Sequence, residues 1–244
     1  MSKAGNAEKT AQIDLKICGI TNAADLCLAA RVGASFFGTI VEIARSPRSI
    51  SVQQAAALAE TAAIPQVCVM DTESPAAINA VVAVCHPAAV QLHCDADAAA
   101  GAVSRIRDDL ADEVGLWIAV GIPPRDAAEG LPIPQAVGRI AELAAAGVAR
   151  IVLDTRVAAG TGGTGMVSDW SAAAAIGAAS PLPIMLAGGI TPANVAQAVL
   201  TVKPQGIDVS SGVEREPGVK APHKMAELAD QFRKAVVRLQ AEQA

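Results

Sequence analysis

The segment Pro183–Gly212, PIMLAGGITPANVAQAVLTVKPQGIDVSSG, distinguishes between the two folds that fit this sequence. It predicts a strand that ends at Gly188-Gly189, a helix that begins at Thr191-Pro192 with a cap residue before a proline, and a strand that ends in Asp208-Val-Ser-Ser-Gly212. An open doubly wound sheet, the main competing fold, would place its glycine-rich fingerprint after the first strand. Here the glycine clusters come late in the chain, where (β/α)8 barrels carry their phosphate loops.

The same unit of strand, loop and Ala-rich helix repeats along the rest of the chain. We predict eight strands: Leu15–Cys18, Phe36–Val41, Gln66–Met70, Ala89–Leu92, Gly115–Val120, Arg150–Leu153, Pro183–Leu186 and Gly206–Val209. Eight units of about 30 residues fit one closed barrel. The sequence therefore predicts a single α/β domain over residues 13–244, a (β/α)8 TIM barrel with a closed eight-stranded parallel sheet. Residues 1–12 are small and polar, and we expect a disordered N-terminal leader.

Composition narrows the classes of function. The 244 residues carry a net charge of −5 and only 2% aromatic residues, with no basic run, so a nucleic-acid partner is not expected. No apolar run reaches the roughly 18 residues of a membrane helix, so we expect no membrane association. The five cysteines are an odd number without a CxxC pair, and no signal segment begins the chain. We therefore expect a reduced, cytoplasmic protein.

Two strand ends carry residues suited to proton transfer. Function in this fold belongs at the C-terminal ends of the strands. Cys18 closes strand 1 and can act as a base if its pKa is lowered, although most free cysteines only fill a core. Asp154 closes strand 6 and can act as an acid, or it merely caps the following loop. Strands 1 and 6 are three apart in an eight-strand ring, so the two side chains would face each other across the mouth.

Polar loops at the same end predict an anion-binding site. Gly188-Gly189 and Ser210-Ser-Gly212 offer backbone N–H groups and hydroxyls to a phosphate, the alternative being that they only form tight turns. Thr161–Gly165 follows strand 6 and is either a flap over the substrate or a plain flexible loop. Arg48 would clamp a carboxylate through two parallel hydrogen bonds, unless it is a solvated surface charge. His93 and Cys94 end strand 4 but point to opposite faces, so we predict no metal site.

The strand period adds a prediction about the barrel interior. Side chains two residues apart share a face, so Lys16 would point inward one layer below Cys18. A buried ammonium needs a partner. Strand 8 adjoins strand 1 in a closed barrel, and we predict that Lys16 pairs there with Asp208 and favours the thiolate of Cys18. The alternative is that Lys16 escapes to solvent through the barrel floor or pairs with another acid.

Seven segments together resemble the phosphoribosylanthranilate isomerase family of tryptophan biosynthesis. They are Lys16-Ile-Cys-Gly-Ile-Thr21, Ser46-Pro-Arg48, Val90-Gln-Leu-His93, Leu153-Asp-Thr155, Gly162-Gly-Thr-Gly165 with Asp169-Trp170, Leu186-Ala-Gly-Gly189, and Asp208-Val-Ser-Ser-Gly-Val-Glu214 with Pro217-Gly-Val-Lys220. Each segment alone is weak evidence for the family, but seven segments in the family's order, from residue 16 to 220, are a specific match.

The resemblance implies an Amadori rearrangement of N-(5′-phosphoribosyl)anthranilate to 1-(2-carboxyphenylamino)-1-deoxyribulose 5-phosphate. The aspartate matched by Asp154 is then the general acid that opens the furanose ring, and the cysteine matched by Cys18 is the general base that removes the C2 proton. The predicted substrate-binding residues are Arg48, which would hold the anthranilate carboxylate, together with His93, Gly163, Thr164, Gly165, Gly188, Gly189, Asp208, Ser210, Ser211 and Gly212. The resemblance implies no metal or organic cofactor, and association with other enzymes of the pathway is left open.

Two other functions remain open at this point. A dual-substrate isomerase would also process the aminoimidazole analogue of histidine biosynthesis, but those barrels use an aspartate as base on strand 1 where this chain has Cys18. A catalytically silent barrel would only bind a phosphorylated metabolite or a partner enzyme. Phosphate binding requires neither Cys18 nor Asp154, so the presence of both favours an enzyme.

Overall fold

The computed structural model describes residues 13–93, 100–122, 132–155 and 169–243. Eight parallel strands form the barrel wall: β1 (Asp14–Ile17), β2 (Phe36–Val41), β3 (Gln66–Met70), β4 (Ala89–Leu92), β5 (Gly115–Ile122), β6 (Arg150–Thr155), β7 (Ile184–Leu186) and β8 (Gly206–Val209). Each strand pairs with the next, and β1 pairs with both β2 and β8, so the sheet is closed as predicted. The short strand Ser49–Ile50 adds to the edge of β2, and Glu214–Glu216 pairs with Val219–Lys220 in a hairpin.

Helices lie between the strands on the outside of the barrel. They are α1 (Ala23–Arg31), α2 (Val52–Glu60), α3 (Pro75–Cys85), α4 (Ala100–Asp109), α5 (Ile133–Ala145), α6 (Trp170–Ala179), α7 (Val195–Val202) and α8 (Pro222–Gln243). The capping box at Ser51 is present, since its side chain accepts from the Gln54 N–H while Gln54 accepts from the Ser51 N–H. None of the helices in the described ranges is both long and apolar enough to cross a membrane.

The start predicted for α7 was wrong. Thr191-Pro192 forms a turn, and the helix begins three residues later at Val195. The Thr191 carbonyl accepts from the Asn194 and Val195 N–H groups at 3.2 and 3.0 Å, so one separate turn precedes the helix. The Asn194 side chain accepts from the Thr191 N–H at 2.8 Å and donates to the Gly189 carbonyl at 2.9 Å, which ties this turn to the loop after β7.

Strand ends differ from the predicted ones by one or two residues. β1 ends at Ile17, so Cys18 follows the strand instead of closing it. The Cys18 N–H nevertheless donates to the Val209 carbonyl at 2.8 Å, which continues the pairing with β8. β6 extends to Thr155, and Asp154 therefore lies inside the strand.

Apolar residues form two layers of core. The larger layer lies between strands and helices and includes the apolar face of α8. The smaller one fills the barrel and consists of Val67, Ala89, Trp117, Val152, Met185 and Ala187, with Phe36 packed against it. At the N-terminal end of the strands, Arg150 pairs with Asp14 at 2.8 Å and stacks on the Trp117 ring at 4.8 Å. The filled interior leaves the opposite end of the barrel for chemistry.

Candidate active site

A buried ion pair lies beside the predicted base. The Lys16 side chain is fully buried, and its Nζ lies 2.8 Å from Asp208 Oδ2 on the neighbouring strand. This confirms the pairing predicted from strand alternation and excludes the alternative that Lys16 escapes to solvent. Gly38 on β2 makes room for the group, because a Cβ there would lie 2.8 Å from Cys18 Sγ and 3.1 Å from Lys16 Nζ. The sequence analysis missed this glycine, whose role depends on the register of two strands.

The electrostatics around Cys18 differ in part from the expectation. Burial raises the pKa of the Cys18 thiol, and the positive charge of Lys16, which lowers it, offsets this only in part. Asp208 opposes Lys16 and raises the same pKa. Burial alone would lower the pKa of Lys16, but the attraction of Asp208 outweighs it, so that pKa is raised and Lys16 stays protonated. Lys16 acts on Cys18 in the predicted direction, yet burial outweighs it, so the pKa of the thiol lies above its ordinary value and the thiol form is favoured.

The predicted acid lies across the mouth from the predicted base. The strand order places β7 and β8 between β6 and β1, as predicted for a ring of eight. Asp154 shares a face of β6 with Val152, which packs inside the barrel, so its carboxylate points towards the mouth. The Asp154 side chain is half-buried. Asp154 and Cys18 thus approach a molecule at the mouth from different sides.

The loops after β7 and β8 form a cradle for an anion. Gly188 and Gly189 adopt φ values of 83° and 65°, which side chains other than glycine rarely tolerate. A Cβ at Gly212 would collide with the Ile190 carbonyl, so the two loops touch through their backbones. The N–H groups of Gly188, Gly189 and Gly212 donate to none of the other described residues. These groups are available to a phosphate.

Arg48 lies in a buried ion pair that the sequence analysis did not anticipate. Its Nε and Nη2 donate to the Glu214 carboxylate at 2.9 and 2.7 Å, and only 9% of the residue is exposed. The alternative of a solvated surface charge is therefore wrong. Glu214 holds the Nε–Nη2 edge of the guanidinium, and the Nη1–Nη2 edge is the one that could pair with a second carboxylate. Glu214 belongs to the last of the matched segments, but its contact with Arg48 spans 166 residues along the chain.

His93 follows β4 with its ring close to Gln91, whose Nε2 lies 3.2 Å from His93 Nε2. Burial lowers the pKa of His93, and the charge of Lys16 lowers it further, so the ring is neutral at pH 7. Within the described ranges, no three or more His, Cys, Asp or Glu side chains form a cluster suited to a metal ion. Cys94, the predicted flap with Gly163, Thr164 and Gly165, and the predicted leader lie outside the described residues.

Comparison with known proteins places these features in context. Residues 15–231 match the family model described as N-(5′-phosphoribosyl)anthranilate isomerase. The isomerase of that name from Natronomonas pharaonis is 34% identical over 221 residues, which cover 88% of this chain and 96% of the relative. The phosphoribosyl anthranilate isomerase from Thermococcus kodakaraensis superimposes with a TM-score of 0.70 at 34% identity and covers 93% of this chain and 99% of that one.

A third similar protein was solved with a ligand. It is a phosphoribosyl anthranilate isomerase in complex with reduced 1-(o-carboxyphenylamino)-1-deoxyribulose 5-phosphate. It has a TM-score of 0.73 and 26% identity, covering 91% of this chain and all of the other.

Proposed function

This chain belongs to the N-(5′-phosphoribosyl)anthranilate isomerase family, and we propose that Asp154 and Cys18 are the acid and base of its reaction. The reaction is the aldose–ketose isomerisation of N-(5′-phosphoribosyl)anthranilate in tryptophan biosynthesis. One observation carries the assignment: a thiol beside the buried Lys16–Asp208 pair and a carboxylate on β6 point into one mouth from different sides. A site that only bound phosphate would require neither group.

The first step is the opening of the ribose ring. Asp154 in its protonated form gives its proton to the ring oxygen, and the bond from C1 to that oxygen breaks as the nitrogen lone pair forms the C1–N double bond. The product is an open-chain Schiff base with a positive charge on nitrogen. General acid catalysis of such a step contributes about 10²–10⁴-fold.

The second step removes the proton from C2. The Cys18 thiol first releases its own proton to solvent. The resulting thiolate takes the C2 proton, and the electrons of the C2–H bond form the C1–C2 double bond while the C1–N pair returns to nitrogen. The enolamine then tautomerises to the ketone. The free thiol has a raised pKa, but the cationic Schiff base brings a further positive charge to the mouth. That charge stabilises the thiolate at the point in the reaction where the base is needed.

Binding is divided between the two ends of the substrate. The loops with Gly188, Gly189 and Gly212 take the phosphate, supported by Ser210 and Ser211 and by the segment with Gly163, Thr164 and Gly165. Arg48 takes the anthranilate carboxylate through its Nη1–Nη2 edge, while His93 and Asp208 contact the sugar between them. We further propose that the protein acts in the cytoplasm and that it is able to associate with other enzymes of the pathway.

An assay with two substrates tests the proposed function. The purified protein is given N-(5′-phosphoribosyl)anthranilate and, separately, the aminoimidazole substrate of histidine biosynthesis, and Asp154→Asn is measured beside it. We expect turnover of the first substrate alone and a loss of at least 10²-fold, about the contribution of one general acid, in the variant. Comparable turnover of both substrates would identify a dual-substrate isomerase, and binding without turnover of either would identify a silent barrel.

A further inference from the structure

The hairpin Glu214–Lys220 contains a second buried lysine. The Lys220 side chain has no exposed surface, which is rare for lysine. Its Nζ donates to the Cys18 carbonyl at 2.6 Å, to the Ser210 carbonyl at 3.2 Å and to Glu214 Oε1 at 2.9 Å. An ammonium has three protons, and these three acceptors use all of them. Lys220 therefore joins the end of β1, the loop after β8 and the acid that holds Arg48.

The connection continues from Glu214 to the loop after β2. Glu214 accepts from Arg48 through both carboxylate oxygens and also from the Gly218 N–H at 3.3 Å. The Arg48 stem crosses Gly19, where a Cβ would lie 2.7 Å from Arg48 Cδ. Gly19 has a φ of 70°, so a side chain there would be strained as well as obstructed. The Arg48 guanidinium is thus held by the Glu214 carboxylate, and the aliphatic part of its side chain packs on Gly19.

We propose that Lys220 is a positioning residue of the isomerase reaction, which fixes Cys18 relative to the phosphate loop and orients Arg48 through Glu214. This proposal rests on the proposed function, because it assigns Lys220 to the same catalytic groups. Lys220 does not touch the substrate in this account. It sets the distance between the base and the anchored phosphate, and positioning errors of about 1 Å cost about 10²-fold in rate.

The charge of Lys220 also acts on the thiol. The charged groups that face Cys18 are Lys16 on β1, Asp208 on β8, Lys220 in the hairpin and Arg48 after β2. Burial raises the pKa of Cys18, and Lys220 is one of the groups that lower it. Removal of the Lys220 ammonium should therefore raise the pKa of Cys18 further. A lysine that only stabilised the hairpin would not change this pKa.

The test compares Lys220→Met with Lys224→Met. Lys224 in α8 is the matched control, because its half-buried side chain also reaches the hairpin, where Nζ donates to the Glu214 carbonyl at 2.8 Å. Both variants are measured for kcat and KM on N-(5′-phosphoribosyl)anthranilate. The rate at which iodoacetamide alkylates Cys18 is measured in both variants as a function of pH. In a separate experiment, the affinity of both variants for inorganic phosphate is measured as a probe of the anion loops. The double variant Lys220→Met/Glu214→Gln, which removes the buried pair together, is used if Lys220→Met does not fold.

We expect Lys220→Met to lower kcat by about 10²-fold, to shift the alkylation profile to higher pH and to weaken phosphate binding. Lys224→Met should retain the kcat and the alkylation profile of the wild type. Equal values for the two variants in all three measurements would overturn the proposal. If the wild type has no isomerase activity, the proposed function fails instead, and the alkylation profiles still show whether Lys220 acts on Cys18.

Discussion

Replacing Gly212 with alanine tests whether the loops after β7 and β8 form one phosphate cradle. The added Cβ would collide with the Ile190 carbonyl oxygen. Neither the Cβ nor the carbonyl can rotate away, since both are fixed to the backbone. Real Cβ atoms essentially never come within 3.0 Å of another heavy atom, so the two loops must separate. A displacement on the order of 1 Å is enough to remove about 10²-fold of the rate.

The assay for Gly212→Ala measures KM for the phosphorylated substrate and inhibition by inorganic phosphate. We expect both to weaken, together with a loss of about 1–3 kcal/mol in the free energy of unfolding from overpacking. Gly177→Ala in α6 is the matched control, because a Cβ there meets nothing within 4 Å. Alanine is favoured over glycine inside a helix by about 0.5–1 kcal/mol, so this control should be slightly more stable and fully active. A Gly212→Ala protein with unchanged phosphate affinity would refute the cradle.

Three further predictions concern the charged groups of the mouth. Cys18→Ser should lose most activity because a hydroxyl is a much weaker base than a thiolate. Alkylation of Cys18 should inactivate the wild type unless product is bound, and an unchanged rate after alkylation would place the base elsewhere. Lys16→Met should raise the pKa of Cys18, because Lys16 lowers it in the intact protein, and an unaltered pH–rate profile would exclude that influence. Burial would raise the pKa of Glu214, but its bonds to Arg48 and Lys220 lower it below the ordinary 4.5. The free energy of unfolding measured in urea should therefore fall as the pH drops below 4.5, because the carboxylate is then protonated and loses these bonds. The fall should be smaller in Glu214→Gln, which has no carboxylate to protonate.

The barrel could be predicted because each strand is a short aliphatic run between polar loops. The same local signal placed Lys16 and Asp208 on neighbouring strands: ring closure makes β1 and β8 adjacent, and side-chain alternation turns both residues into the barrel. Other features depend on contacts between distant segments. Arg48 meets Glu214 across 166 residues, and no spacing in the sequence indicates that pair.

Two further features could be determined only from the folded structure: the pKa shift of Cys18 and the start of α7. Lys16 does act on the Cys18 thiol, but whether burial outweighs it depends on how completely the barrel encloses the sulfur. α7 begins only at Val195, after a turn at Thr191-Pro192 in which the Asn194 side chain accepts from the Thr191 N–H. A helix signature in the sequence does not reveal that competing hydrogen bond.

The most direct test of the central claim is the turnover of N-(5′-phosphoribosyl)anthranilate by the purified wild type, Asp154→Asn and Cys18→Ser, measured with binding of a product analogue. We expect the wild type to form the ketose, each variant to lose about 10²-fold or more in kcat, and all three to bind the analogue with similar affinity. Turnover in Asp154→Asn within a few-fold of the wild type would contradict the account.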